Sequence, residues 1–151
     1  IELSGSGEVE SEHEYLWTEE KGQIDQPRSV LSEDSMGIAL TLRIAETVDQ
    51  ARVTIVLKDN SGRPVSSYVA IDSFRNKLLL PAGKHFCRFD LGGLELTPGK
   101  YHYAIIVESQ NPERVCMRKE GMIPFTVSDS GSRGHIWAPL SRTAVTSVQN
   151  N

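Results

Sequence analysis

Leu94-Glu95-Leu96-Thr97-Pro98-Gly99-Lys100-Tyr101-His102-Tyr103-Ala104-Ile105-Ile106-Val107 is the stretch that decides the fold. The Pro98-Gly99 turn throws the chain into a long run of aromatic and β-branched residues, which reads as a strand. Side chains alternate along a strand, so Tyr101, Tyr103, Ile105 and Val107 share one face while His102, Ala104 and Ile106 share the other. The preceding Phe86-Cys87-Arg88-Phe89-Asp90-Leu91 reads the same way, with Cys87, Phe89 and Leu91 on one face. The two runs are expected to form an antiparallel pair at the centre of a β-sandwich. Such a framework points to a binding module rather than an enzyme.

The pattern recurs in both directions. Upstream, residues 37–45 alternate cleanly: Ile38, Leu40, Leu42 and Ile44 face inward, and Ala39, Thr41 and Arg43 face outward. Residues 51–58 form another alternating strand, and Asp59-Asn60-Ser61-Gly62 turns it into a return strand over 64–71 that carries Tyr68. Leu78-Leu79-Leu80 leads into the turn Pro81-Ala82-Gly83. Downstream, residues 121–127 place Ile123, Phe125 and Val127 inward, and Pro124, which lacks an N–H, marks an edge or a bulge. Residues 22–35 are polar and read as a long loop. Residues 128–134 are a connector, 135–140 one more short strand, and 141–151 a polar tail frayed at its end. The expected fold is all-β, an immunoglobulin-like or jelly-roll antiparallel β-sandwich of about eight strands. It fills one domain over residues 1–140, followed by the tail.

Size and composition agree. The 151 residues suffice for one substantial core, with a radius of gyration of roughly 15 Å. The hydrophobic content of 38% suits a two-layer sandwich whose sheets each keep one solvated face. A net charge of −4 argues against nonspecific nucleic-acid binding. No apolar run approaches the roughly 20 residues of a membrane span, so direct membrane insertion is not expected. The chain opens on Ile1 rather than Met, which reads as a piece of a longer polypeptide. Cys87 and Cys116 read as two free thiols in a reducing compartment, since small disulfide-dependent folds usually carry more bridges.

Chemistry is harder to find. There is no P-loop, G-x-S-x-G, H-E-x-x-H or C-x-x-C. His13, His85, His102 and His135 lie far apart in sequence and read as surface or half-buried residues, and no metal is expected. Cys87 reads as an inert core thiol. In the acidic run 8–17, Glu8, Glu10, Glu12 and Glu14 line one face, with Val9, His13, Tyr15 and Trp17 on the other. A Ca²⁺ site there would need converging oxygen ligands. A charged, solvated edge strand is the simpler reading. What remains is a set of outward polar and aromatic residues: Arg43, Arg52, Arg88, His102, Tyr68 and Trp17. Aromatic rings cover the C–H face of a sugar, and charged or amide groups bond its hydroxyl rim. Each of these residues also reads as ordinary surface. Trp17 and Trp137 read equally as core residues or as covers of the sandwich ends.

The order of elements carries a resemblance. Leu-Lys-Asp-Asn-Ser-Gly-Arg-Pro-Val (57–65) is followed by Phe-Asp-Leu-Gly-Gly-Leu-Glu-Leu-Thr-Pro-Gly-Lys-Tyr (89–101), then Ile-Pro-Phe-Thr-Val (123–127) and a connector to Ile136 and Trp137. Over roughly residues 5 to 140 this resembles the C-terminal domain of Wzt, the ATPase subunit of ABC transporters that export O-antigen polysaccharides. The resemblance implies a non-catalytic glycan-binding module without a cofactor of its own, because ATP belongs to the absent nucleotide-binding domain. It implies recognition of the finished, non-reducing end of the polymer, often modified, which couples completion to export. The implied setting is the cytoplasmic face of a Gram-negative inner membrane. The implied partners are the nucleotide-binding and transmembrane subunits and a second copy of the domain. The family has no strict binding-residue motif to carry over, so the candidate residues rest on strand geometry.

Pairing also has a physical rationale. A shallow sugar site binds at ~10⁻⁴ M, about −5 kcal/mol, and two linked sites raise avidity. Residues 135–140 or the acidic strand are the candidates for pairing with a second protomer's sheet edge. The competing expectation is a structural or protein-binding sandwich of a secreted or surface protein, in which Cys87 and Cys116 would be bridged.

Overall fold

The computed structural model describes residues 2–24, 29–31, 35–70, 78–93, 95–110, 112–128, 140–143 and 145–150, with no helix among them. The strands in chain order are β1 (Glu2–Ser4), β2 (Val9–Thr18), β3 (Gly22–Ile24), β4 (Ser29–Leu31), β5 (Ser35–Ile44), β6 (Val48–Asp59), β7 (Pro64–Ala70), β8 (Leu78–Leu80), β9 (Gly83–Gly93), β10 (Gly99–Gln110), β11 (Glu113–Ser128), β12 (Leu140–Thr143) and β13 (Val145–Asn150). The first sheet has the order β1-β11-β10-β6-β7-β12, with β4 also on β11 and β8 also on β6. The second has the order β13-β9-β5-β2-β3. Pairing is antiparallel except for β4 with β11 and β12 with β7, which run parallel.

The β-sandwich expected from the sequence therefore forms, with more strands than the eight expected. The additional ones are mostly three or four residues long, too short to show an alternating pattern. Two of them, β3 and β4, lie in the stretch read as a loop. β12 and β13 lie in the stretch read mostly as a frayed tail, where they pair with β7 and β9. Ile136 and Trp137 are outside the described residues.

The expected central pair does not form. β9 lies in the second sheet between β5 and β13, and β10 lies in the first between β6 and β11. The intervening segment crosses from one layer to the other, with Leu96 buried and the Tyr101 hydroxyl donating to the Thr97 carbonyl at 2.6 Å. Both strands have one largely apolar buried face, interrupted only by His85 on β9 and Ser109 on β10, and those faces meet across the core rather than lying side by side. Tyr103, fully buried on β10, reaches the second sheet, where its hydroxyl lies 3.5 Å from the Met36 sulfur. Tyr101 and Tyr103 both stack on Phe125, at 5.8 and 5.5 Å between ring centres.

Two further expectations hold. The Asp59 turn is closed by its own carboxylate, which accepts from the Ser61 amide and hydroxyl and the Arg63 amide. Pro124 sits exposed on β11 between buried Ile123 and Phe125, beside a break in register.

Candidate functional site

The second sheet presents an outward face built of four cross-strand rows. Directly opposed residues of antiparallel strands point to the same side. Register therefore groups Glu10, Arg43 and Lys84 in the first row, and Glu12, Thr41 and Phe86 in the second. Tyr15, Ala39 and Arg88 form the third, and Trp17, Gly37 and Asp90 the fourth.

A bulge in β2 makes this face. Glu12 opposes Thr41 while Tyr15 opposes Ala39, so β2 carries one extra residue, and His13 takes a φ of 54° there. The extra residue reverses parity. Tyr15 and Trp17 thus join Glu10 and Glu12 on the outward side, contrary to the strict alternation expected of the acidic run. The expected row of four carboxylates is broken up. Glu14 pairs with Lys119 of the other sheet at 2.7 Å, and Glu8 pairs with Arg114 at 3.3 Å. The acidic strand pairs with β5 on one side, and on the other β3 covers only its last three residues, so over Val9–Tyr15 it is the edge the sequence suggested.

Trp17 is the anchor of the aromatic end. Gly37 lies opposite it, and a Cβ there would come within 2.3 Å of the indole, so the ring rests directly on the glycine. The Arg88 guanidinium covers the ring from above, 3.8 Å from its centre, and Asp90 lies 3.6 Å from Arg88. The indole is 7% exposed despite facing outward, and Ala39 beside it is fully covered. Tyr15 and Phe86 flank this patch, each partly exposed.

The other end is charged. Arg43 and Lys84 approach Glu12 at 3.6 and 3.8 Å. A cleft of about 370 Å³ opens beside them, lined by Gly7, Glu8, Glu10, Ala45 and Gly83 as well as the two cations. Its wall is fixed by backbone bonds from Gly7 to Cys116 and from Ala45 to Glu8. The Glu8 carboxyl is held below its usual range, first by the Cys116 thiol and then by Ser6 and Arg114.

The six residues nominated from the sequence fall in three places. Trp17, Arg43 and Arg88 share this outward face. Arg52 and His102 lie on the outward face of the other sheet, opposite Glu108 and Lys58 respectively. Tyr68 is not at the surface at all. It opposes Ile55, whose face is the core, and is completely buried. Tyr15, Phe86, Lys84 and Asp90 were missed. Phe86 and Asp90 flank Arg88 two residues either way, which was a usable signal, whereas Tyr15 was hidden by the bulge.

The histidines among the described residues lie apart. His13 sits exposed on the bulge, His85 is buried with Nε2 2.6 Å from the Pro81 carbonyl, and His102 is on the opposite sheet. Among the described residues no group of three His, Cys, Asp or Glu side chains converges as a metal site. Cys87 and Cys116 are both free and buried.

Fold and face together define an antiparallel β-sandwich with an aromatic and charged strip along one sheet. The chain belongs to the Wzt C-terminal domain family, which it matches over residues 2–138. Its fold is similar to a crystal structure of the C-terminal domain of Wzt, at TM-score 0.68 and 14% identity, covering 90% of this chain and 88% of that one. No curated protein matches. Family membership supports a Wzt-type carbohydrate-binding role in an ABC-transporter context.

Proposed function

We propose that this domain is a non-catalytic module that binds an O-antigen polysaccharide at its non-reducing end through the outward face of the second sheet, and so couples chain completion to export. The observation that carries the reading is the pair of partly exposed rings, Tyr15 and Phe86, beside Arg88, whose guanidinium caps the covered Trp17 indole. Flat apolar rings stand beside groups able to bond hydroxyls, which is the pairing a sugar requires. Across its four rows the face holds three cations, Arg43, Lys84 and Arg88, and three carboxylates, Glu10, Glu12 and Asp90. That balance favours a neutral glycan over a strongly charged one.

In this reading the domain works without a cofactor of its own. It acts on the cytoplasmic side of the inner membrane, beside the nucleotide-binding and transmembrane subunits, and as one of a pair. Pairing compensates for the weakness of a single shallow site. The test is affinity electrophoresis of the chain through gels containing the purified O-polysaccharide of its source strain. Retardation that disappears when the non-reducing end is removed supports the proposal. No retardation overturns it in favour of a structural or protein-binding sandwich.

A further inference from the structure

The four rows are not equivalent, and their order along β5 has a consequence for how a glycan lies on them. Successive rows are two residues apart, so the strip runs roughly 20 Å from Arg43 to Gly37. This is enough for several sugar rings in line. The Trp17 and Arg88 end offers a guanidinium laid over the covered indole, next to the partly exposed rings of Tyr15 and Phe86. The Arg43 and Lys84 end offers charged hydrogen-bonding groups beside an open cleft that Gly7 and Glu8 line.

A chain-terminal ring differs from an internal one by a free hydroxyl that internal rings use for linkage. Resting on the glycan-binding reading above, we infer that the polysaccharide binds lengthwise along β5. Its terminal ring sits in the Arg43–Lys84 cleft, and its internal rings run past Phe86 and Tyr15 to Trp17 and Arg88. The ligand class is therefore a terminal oligosaccharide of several rings, not a single terminal sugar. The two ends of the strip read different parts of it, the cleft the terminus and the Tyr15, Phe86 and Arg88 surface the repeat.

The test is calorimetry of the whole chain with the source strain's O-polysaccharide and a length series of its non-reducing-end fragments. Affinity is expected to rise with length and then level off. Lys84→Ala should weaken every fragment by roughly tenfold, the scale of one significant contact. Arg88→Ala should weaken only the longer fragments and leave the shortest unchanged. Both side chains are about half exposed, so neither change threatens the fold. The inference is overturned if the shortest fragment binds as tightly as the polymer, if Arg88→Ala weakens all lengths equally, or if Lys84→Ala weakens none. If the polymer itself fails to bind, the glycan reading falls and the lengthwise placement falls with it.

Discussion

Arg88 holds its guanidinium carbon 3.8 Å from the centre of the Trp17 ring, on the solvent side of a sheet whose other side is the core. An outward tryptophan is thereby kept almost as covered as a core residue, with its indole nitrogen buried and lacking a hydrogen-bond partner. The sheet thus has a small second layer of packing outside the sandwich, made from a ring, a glycine beneath it and a cation above.

Arg88→Ala removes that cover. An exposed cation–π contact contributes about 0.5–1 kcal/mol, so the variant should stay folded with a slightly lower denaturation midpoint. The Trp17 fluorescence should shift to the red as water reaches the ring. With the proposed site, polysaccharide retardation should also fall, whereas His102→Ala on the opposite sheet should leave it unchanged. Equal losses from both variants would contradict the placement of the site.

Gly37→Ala tests the layer beneath the ring. The added methyl would meet the Phe89 carbonyl oxygen at 2.2 Å as well as the indole. The carbonyl belongs to the neighbouring strand and cannot turn aside. Overpacking of this kind costs about 1–3 kcal/mol or more. Urea denaturation should show that loss, and adding Trp17→Ala should not restore it, because the backbone contact remains.

Most of the core was legible, and the reason is parity. Ile38, Leu40, Leu42 and Ile44 alternate without interruption, and all are buried. The same rule placed Tyr101, Tyr103, Ile105 and Val107 inward. It failed where a bulge intervenes, since nothing in Glu12-His13-Glu14 announces the extra residue that turns Tyr15 and Trp17 outward. It failed again for the partnership of β9 and β10. Alternation fixes which face is apolar but not whether two apolar faces meet edge to edge or across the core. Tyr68 illustrates a third limit: only the register of the β6–β7 hairpin, which sets it against Ile55, decides its side. The outward face proposed as the site depends on such information, and so only half of the nominated residues gathered there.

Acid should destabilise the fold through a few identifiable carboxylates. Glu120 is held below its usual value of 4.5, chiefly by the Lys58 ammonium at 2.7 Å, with Arg118 adding to it. Glu8 and Asp59 are lowered as well. A group whose pKa is lower in the folded state contributes stability above its unfolded value, and that stability is lost as pH falls through the folded value. The denaturation midpoint should therefore be level near neutrality and drop below about pH 4.5. Glu120→Gln should lower the midpoint at pH 7 and shrink the gap to wild type at pH 3. An undiminished gap in acid would show that Lys58 and Glu120 are not coupled as the distance implies.

Lys119 ties the two sheets together at their margin. Its ammonium donates to Glu14 at 2.7 Å and to the Ser11 carbonyl at 3.2 Å, and both charged side chains are only 15% exposed. Hydrogen bonds to charged groups contribute about 1.5–3 kcal/mol, so Lys119→Met should cost in that range. Glu14→Gln should cost less, since the ammonium keeps its bond to Ser11. The double variant should be more stable than the sum of the two losses predicts, which a double-mutant cycle measures directly. Simple additivity would show that Glu14 and Lys119 act independently.

The thiols offer a probe of the packing that needs no ligand. Burial pushes Cys87 up to about 12. Burial together with the hydrogen bond the thiol donates to Glu8 pushes Cys116 up to about 11. Only the thiolate reacts, so near neutral pH very little of either thiol is in the reactive form, and both are shielded besides. A disulfide reagent should find no fast thiol in the native chain and two after denaturation. Cys116 should react first under partial destabilisation, because its bond partner Glu8 belongs to a surface segment while Cys87 lies between β5 and β13. Two fast native thiols would mean that both sheets, β9 around Cys87 and β11 around Cys116, open readily. No thiols after denaturation would mean a bridge, and would favour the secreted sandwich over the export module.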